Sequence, residues 1–259
     1  METRGLIAVD IGNSTTKLGW FSWPLDSGFP QPQQTADYPT DQTPPDAIVQ
    51  RLAAEPLVWE IASVHRDGSR RLKAWIDAHR PHDDVRLLSY SDLPLAVEVE
   101  FPERVGLDRL AAAVAVNLLR TPDRAAIVVD AGTAITVDLV SAAGAFQGGA
   151  ILPGFRMQAE ALFGGADQLP YTLLEPTADP PAALGKNTEQ AIRSGLFWGA
   201  VGAVRELMGE LTKQCSDPPQ VFVTGGDLRK LAAALGPTAE FVPNMVLAGV
   251  AISAQRRLA

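Results

Sequence analysis

Asp10-Ile11-Gly12-Asn13 and Asp130-Ala131-Gly132-Thr133 repeat one short pattern, 120 positions apart. In each, a Val-Asp-x-Gly turn follows an apolar run, Leu6-Ile7-Ala8-Val9 or Ile127-Val128-Val129, of the kind that forms a buried strand. The glycine lets the chain turn sharply and offer backbone N–H groups to an anion. The aspartate just before it can hold a cation. Two such loops facing each other would grip a metal–triphosphate from both sides. That is the chemistry of an ATP-dependent phosphotransferase built from two similar halves. Position by position, the match extends past the turn, because Thr16 and Thr136 fall at equivalent places.

The first loop reads in full Asp10-Ile11-Gly12-Asn13-Ser14-Thr15-Thr16-Lys17. Its hydroxyls and amide add donors to the backbone amides, and Lys17 adds a point charge suited to phosphate. Asp10 would sit near the Mg²⁺ that accompanies ATP. The plainer alternative is a hairpin turn with a surface lysine, and the internal repeat argues against it. In the second loop Val137 takes the place of the lysine. Thr133 can still offer a hydroxyl to phosphate, and Asp130 can bind a cation.

Gly106-Leu107-Asp108-Arg109 opens an otherwise apolar helix. Asp108 could take a proton from an attacking hydroxyl, and Arg109 could steady a carboxylate or a moving phosphoryl group. From these four residues alone, an acid favoured by the helix dipole is the simpler reading. Gly148-Gly149-Ala150-Ile151-Leu152-Pro153-Gly154 and Thr224-Gly225-Gly226-Asp227 are glycine-rich turns at strand ends, which admit a ligand or merely connect elements. Asn187-Thr188 opens a long helix, and simple N-capping accounts for it.

The elements that must carry these groups follow from periodicity. Residues 5–11 with 17–23, and 125–131 with 134–141, read as hairpins around the acid loops. Residues 57–64, 146–152 and 221–224 read as further strands. Helices are expected over 47–54, 69–79, 107–119, near 157–163, and over 188–211, 228–235 and 245–257. Residues 24–46 and 169–185 are proline-rich loop, the former with room for one strand. The pattern breaks at Thr121-Pro122-Asp123, which divides the chain into halves of 1–120 and 121–259.

Bulk properties exclude several classes. With 259 residues the chain can bury a substantial core, and its net charge of −8 offers no basic face to nucleic acid. The densest basic stretch, Arg66, Arg70, Arg71 and Lys73, reads as solvated surface. One cysteine, Cys215, allows no internal disulfide. No apolar run is long enough to span a bilayer, and Asp10 interrupts the only early one, so a cytoplasmic protein without a membrane partner is expected. There is no G-x-x-x-x-G-K-[ST] loop and no G-x-G-x-x-G fingerprint. His65, His79 and His82 lack ligand spacing and read as surface residues.

Taken in order, the motifs resemble the type III pantothenate kinases, of the superfamily that holds the acetate and sugar kinases and actin. The likeness runs through Asp10-x-Gly12-Asn13-x-x-x-Lys17, Gly106-x-Asp108-Arg109, Asp130-x-Gly132-Thr133-Ala134 and Gly148-Gly149-x-Ile151-x-Pro153-Gly154. It continues through Leu184-Gly185-x-Asn187-Thr188-x-x-Ala191-Ile192 and Thr224-Gly225-Gly226-Asp227. The resemblance implies an α/β fold of two RNase H-like (actin-like ATPase) domains, each a mixed sheet flanked by helices. It implies transfer of the ATP γ-phosphate to the 4′-hydroxyl of pantothenate, the first step of coenzyme A synthesis. Asp108 would accept the proton, and Gly106, Leu107, Asp108, Arg109 and Thr188 would bind pantothenate. Residues Asp10, Ile11, Gly12, Asn13, Ser14, Thr15, Thr16 and Lys17, with Thr133, would hold ATP and Mg²⁺, and Asp130 a monovalent cation, potassium or ammonium. A homodimer is implied too. The family's Tyr-x-x-Pro before Gly-x-Asp-Arg is here Val99-x-x-Pro102. A kinase for another small alcohol, or a non-catalytic nucleotide-sensing or transcription-accessory relative, is the alternative.

Overall fold

The apolar run Leu6–Ile11 forms β1, a strand hydrogen-bonded on both sides and buried on both faces, which is why it carries no polar residue before Asp10. A computed structural model of the chain describes residues 5–25, 28–174, 179–226 and 229–258. The remaining elements of the first unit are β2 (Thr15–Phe21), β3 (Gln34–Pro39), α1 (Asp46–Val49), β4 (Val58–Ser63), α2 (Arg66–His79), β5 (Asp84–Leu87) and α3 (Leu107–Leu119). The second unit holds β6 (Ala126–Ala131), β7 (Ala134–Val140), β8 (Phe146–Pro153), α4 (Phe155–Gly165), α5 (Thr188–Thr212), β9 (Gln220–Thr224), α6 (Arg229–Leu235) and β10 (Ala239–Phe241). The last helix is α7 (Met245–Leu258).

The two sheets have one topology. The first runs β3-β2-β1-β4-β5 and the second β8-β7-β6-β9-β10. In each, the first three strands are antiparallel neighbours and the last two join parallel to the central one. The short parallel edge strands β5 and β10 were not expected from sequence, and the helix expected over 47–54 is the four-residue α1. Leu228, expected to begin the sixth helix, lies outside the described residues.

Alternation sorts each strand into two faces. In the first unit Ile7, Val9, Ile11, Leu18, Trp59 and Ile61 pack with Ile48, Leu72 and Ile76 of α1 and α2. In the second, Ile127, Val129, Ile135, Val137 and Val223 pack with Phe197, Val201 and Val204 of α5 and Leu231 of α6.

The division of the chain differs from the linear one. The first unit comprises Met1–Leu119 with Asn244–Ala259, and the second Arg120–Pro243. Helix α7 therefore returns to the first unit, although it follows the second in sequence. Its buried Leu247, Ala248, Val250 and Ala251 pack with α3 and with the face of the first sheet opposite α2. That face needs a cover, and α3 alone is too narrow to give it. No helix of the described residues is long and apolar enough to cross a membrane.

The α3–α7 approach is set by a glycine. A Cβ on Gly249 would lie 1.8 Å from the carbonyl oxygen of Ala111. Gly249→Ala must push the helices apart and should cost about 1–3 kcal/mol. For a chain of this size that lowers the melting midpoint by roughly 2–4 °C per kcal/mol, measured by calorimetry. An unchanged midpoint would show that the helices slide without loss.

Candidate active site

The first acid loop joins β1 to β2. Gly12 N–H donates to Thr15 O at 3.1 Å and closes the turn, which leaves Asn13 exposed at its tip. Asp10 lies directly opposite Lys17, so both side chains share one face of the sheet. It is the α7 face, because a Cβ on Gly19, two residues beyond Lys17, would sit 3.2 Å from Leu247 Cδ1.

Behind the loop is a buried polar cluster. Thr40 N–H donates to Ser14 O at 3.0 Å, and Thr40 Oγ1 donates to Gly12 O at 2.9 Å. Thr16 Oγ1 and Thr40 Oγ1 are 3.1 Å apart, and Arg71 Nη1 donates to Thr40 O at 2.7 Å. Arg71 is thus turned inward and half-buried, not part of a solvated basic surface. His65 likewise does more than sit on the surface: its Nδ1 accepts from Gly68 N–H at 2.9 Å and caps α2.

Gly106-Leu107-Asp108-Arg109 begins α3 at the same edge of this unit. A Cβ on Gly106 would lie 2.4 Å from Asp108 Oδ1 and 3.4 Å from Val64 Cγ1. Val64 directly follows β4, and its N–H donates to Ile11 O at 3.0 Å. The carboxyl ends of β1 and β4 therefore meet the start of α3, the position where open α/β sheets bind ligands. Asp108 Oδ1 accepts from Arg109 N–H at 2.8 Å, as a helix-start acid does. Upstream, Phe101 is exposed with the Arg104 guanidinium 4.4 Å from its ring centroid.

In the second loop Gly132 N–H donates to Ala134 O at 2.9 Å, and Asp130 pairs with Thr136. This hairpin is one residue shorter than the first. The strand-level counterpart of Lys17 is therefore Thr136, while Ile135 corresponds to Thr16, so the equivalence of Thr16 with Thr136 and of Lys17 with Val137 does not hold. Asp130 is flanked by Thr136 on β7 and Thr224 on β9. The Thr136 hydroxyl is buried and has no hydrogen-bond partner among the described residues.

The two glycine-rich motifs crowd this loop from behind. A Cβ on Gly154 would lie 2.3 Å from Gly132 O, and one on Gly225 would lie 2.1 Å from Ala131 O. Gly225 also has φ +116°, a conformation that side chains resist. Both motifs thus shape the loop's backing; Asp227 of the second lies outside the described residues. Asn187 caps α5, its Oδ1 accepting from Gln190 N–H at 2.9 Å, while Gln190 Oε1 accepts from Lys186 N–H at 2.9 Å. Capping thus accounts for Asn187, and Thr188 stands exposed in the first turn.

Residues 6–210, which hold both acid loops, Asp108 and Thr188, match the sequence model of the type III pantothenate kinases. The chain belongs to that family. A type III pantothenate kinase from Alkalilimnicola ehrlichii is 31% identical over 95% of this chain and 96% of its own length. Another, from Rhodopirellula baltica, is 38% identical over 77% of this chain and 67% of its own. Among solved structures, the activator of the 2-hydroxyisocaproyl-CoA dehydratase from Clostridium difficile has a TM-score of 0.51 at 13% identity, covering 98% of this chain and 95% of that one. A glucokinase from an Antarctic psychrotroph has a TM-score of 0.50 at 11% identity, covering 98% and 99%. Those likenesses carry the fold alone: two mixed five-stranded sheets flanked by helices, as in the actin-like ATPases. As a type III pantothenate kinase the chain is an ATP-dependent phosphotransferase, and the family's reaction opens coenzyme A synthesis.

Gly154→Ala tests the backing of the second loop. The added methyl must displace the 132–133 carbonyls, so the KM for ATP should rise at least about tenfold, a hydrogen bond's worth or more. Steady-state kinetics with ATP as the varied substrate give the answer; an unchanged KM would mean that the loop's position is immaterial to nucleotide binding.

Proposed function

We propose that this kinase moves the ATP γ-phosphate to the 4′-hydroxyl of pantothenate with Asp108 as proton acceptor. The observation that carries the assignment is the meeting of the α3 start with the ends of β1 and β4, which sets Asp108 and the first acid loop at one edge of a single unit. The hydroxyl proton passes to the Asp108 carboxylate as the oxygen bonds to the γ-phosphorus. The bond from that phosphorus to the bridging oxygen breaks, and ADP leaves. Phosphoryl transfer asks mainly for positioning and charge stabilisation. Lys17 and the amides of the first loop supply them, with Thr133 of the second loop as a further phosphate donor. Asp10, opposite Lys17, would hold the Mg²⁺ of MgATP. Gly106, Leu107 and Arg109 would line the pantothenate site.

A monovalent cation at Asp130 fits the donors present. Among the described residues no cluster of three or more His, Cys, Asp or Glu exists, so a site built on several such ligands has no support. Potassium takes neutral oxygens instead. The buried, unpartnered Thr136 hydroxyl opposite Asp130 is such an oxygen. The cation would supply, beside the phosphates, the positive charge that Lys17 gives the first loop.

A homodimer suits the outer face of α5. Cβ atoms on Gly195, Gly199 and Gly202 would meet nothing within 4 Å, and Trp198 and Leu184 nearby are exposed. In such a dimer Thr188 would reach toward Asp108 of the partner subunit. The single cysteine and the ATP requirement support a cytoplasmic setting.

Two outcomes follow. Asp108→Asn should depress kcat by roughly two to four orders of magnitude while ATP affinity holds, by rapid-quench kinetics and calorimetric titration. Near-normal turnover would leave Asp108 as a helix-start acid only. For the cation, activity should require potassium or ammonium, and Thr136→Val should raise the potassium concentration at half-maximal rate about fivefold through loss of one oxygen contact. Full wild-type rate in sodium-only buffer would remove the cation from the mechanism.

A further inference from the structure

We propose that Thr40 is a positioning residue for the nucleotide loop, holding the Gly12 and Ser14 carbonyls from behind so that the Asn13 and Thr15 amides aim at the phosphates. The inference rests on the reading of residues 10–17 as a phosphate loop. Its physics is the planarity of the peptide bond. In a trans peptide the C=O of one residue and the N–H of the next point in opposite directions. Fixing Gly12 O therefore fixes Asn13 N–H, and fixing Ser14 O fixes Thr15 N–H. Thr40 does both, through its hydroxyl at 2.9 Å and its amide at 3.0 Å. The amides are thereby turned away from Thr40, on the loop's open side.

The hydroxyls behind the loop form a chain with one possible direction. A carbonyl only accepts, so Thr40 Oγ1 spends its single proton on Gly12 O. Thr16 Oγ1, 3.1 Å away, must then donate to Thr40 Oγ1. The order is Thr16 to Thr40 to Gly12 O. Both side chains are buried, at 2% exposure each, where such chains strengthen each bond. Nearby, burial pushes the Tyr38 phenol up to about 12, against the opposing pull of Thr16 and the Arg71 charge. Arg71 fixes Thr40 in turn through its carbonyl, at 2.7 Å. Gly68 lets α2 approach, since a Cβ there would lie 2.6 Å from Thr40 Cγ2.

The second half repeats the device. Pro39 pairs with Thr15 at the end of β3, as Pro153 pairs with Ala134 at the end of β8. The next residue holds the loop in both halves: Thr40 N–H on Ser14 O at 3.0 Å, Gly154 N–H on Thr133 O at 3.0 Å. Thr40 alone adds a hydroxyl to that amide.

The test compares Thr40→Val, which keeps shape and amide, with Thr40→Ser, which restores the hydroxyl. Binding of ATP by calorimetry, KM for pantothenate, kcat and the melting midpoint are measured on each. Thr40→Val should weaken ATP about three- to tenfold, the worth of one hydrogen bond, with KM for pantothenate unchanged and Thr40→Ser close to wild type. Equal ATP affinity in Thr40→Val overturns the inference. So does a parallel loss in both substrates with a lowered midpoint, the mark of a merely structural residue. Should Thr40→Val fail to fold, Thr16→Val removes the donor behind Thr40 and carries the same test, with a smaller ATP-specific loss expected. Lys17→Ala separates the two levels of the argument. If it weakens ATP and Thr40→Val does not, only the role of Thr40 falls; if neither does, the phosphate-loop reading falls and takes the inference with it.

Discussion

A carboxylate at the end of a doubly buried strand is the constraint on which each half of this protein turns. β1 and β6 are central strands with apolar side chains on both faces, and each carries an aspartate one residue before its end. An isolated charge inside such a sheet would cost several kcal/mol, so the acid must sit at the rim, where oppositely charged or polar groups reach it. The strand end is also where a sharp turn exposes amides. Acid and amides thus arise together from one local arrangement, and the rest of each unit holds that arrangement still. Gly12 and Gly225 leave room at the turns; Thr40 and Gly154 clasp them; Gly68 lets α2 come close to Thr40.

The two halves share one topology but differ by one residue in the acid hairpin. Side chains in a strand alternate, so shortening a hairpin by one moves every later residue to the other face. In the first unit the residue opposite the acid is Lys17, which brings its own positive charge. In the second it is Thr136, and Val137 goes to the core with Val129. One loop is therefore charge-balanced by the chain itself. The other offers a carboxylate and a hydroxyl, a set of oxygens suited to an added cation.

Much of this was legible in sequence because the signals were long or repeated. The apolar runs before both acid loops, the largely apolar α3 and the 25-residue α5 were each legible over many residues. What escaped was short, or nonlocal. β5 and β10 are edge strands of four and three residues, too brief for alternation to register. The return of α7 to the first unit leaves no mark on a linear reading, since its apolar stripe would suit either sheet. The register difference did leave one: Ile135, Val137 and Leu139 alternate as a core face, which places Thr136 opposite it. The loop clasps had a signal as well, the Pro39-Thr40 and Pro153-Gly154 pairs at equivalent strand ends. Comparing the halves beyond the Asp-x-Gly turn would have found them. Arg71 carried none, because an inward arginine bound to a carbonyl looks like any basic residue on a helix.

The helix-start acid and the proposed proton acceptor at Asp108 do not exclude one another. A carboxylate has two oxygens and several acceptor sites. Oδ1 serves the helix, accepting from Arg109 N–H at the start of α3, where the partial positive charge of the helix favours an anion. Oδ2 takes no part in that bond and is the oxygen that the proposed proton transfer would use. The helix bond also restrains the side chain, so the second oxygen has a defined direction rather than a range of rotamers. Gly106 contributes by omission, since any Cβ there would collide with Oδ1 and force the carboxylate to turn. Asp108 thus holds its place at the helix start with one oxygen, and the proposed proton transfer asks only for the other.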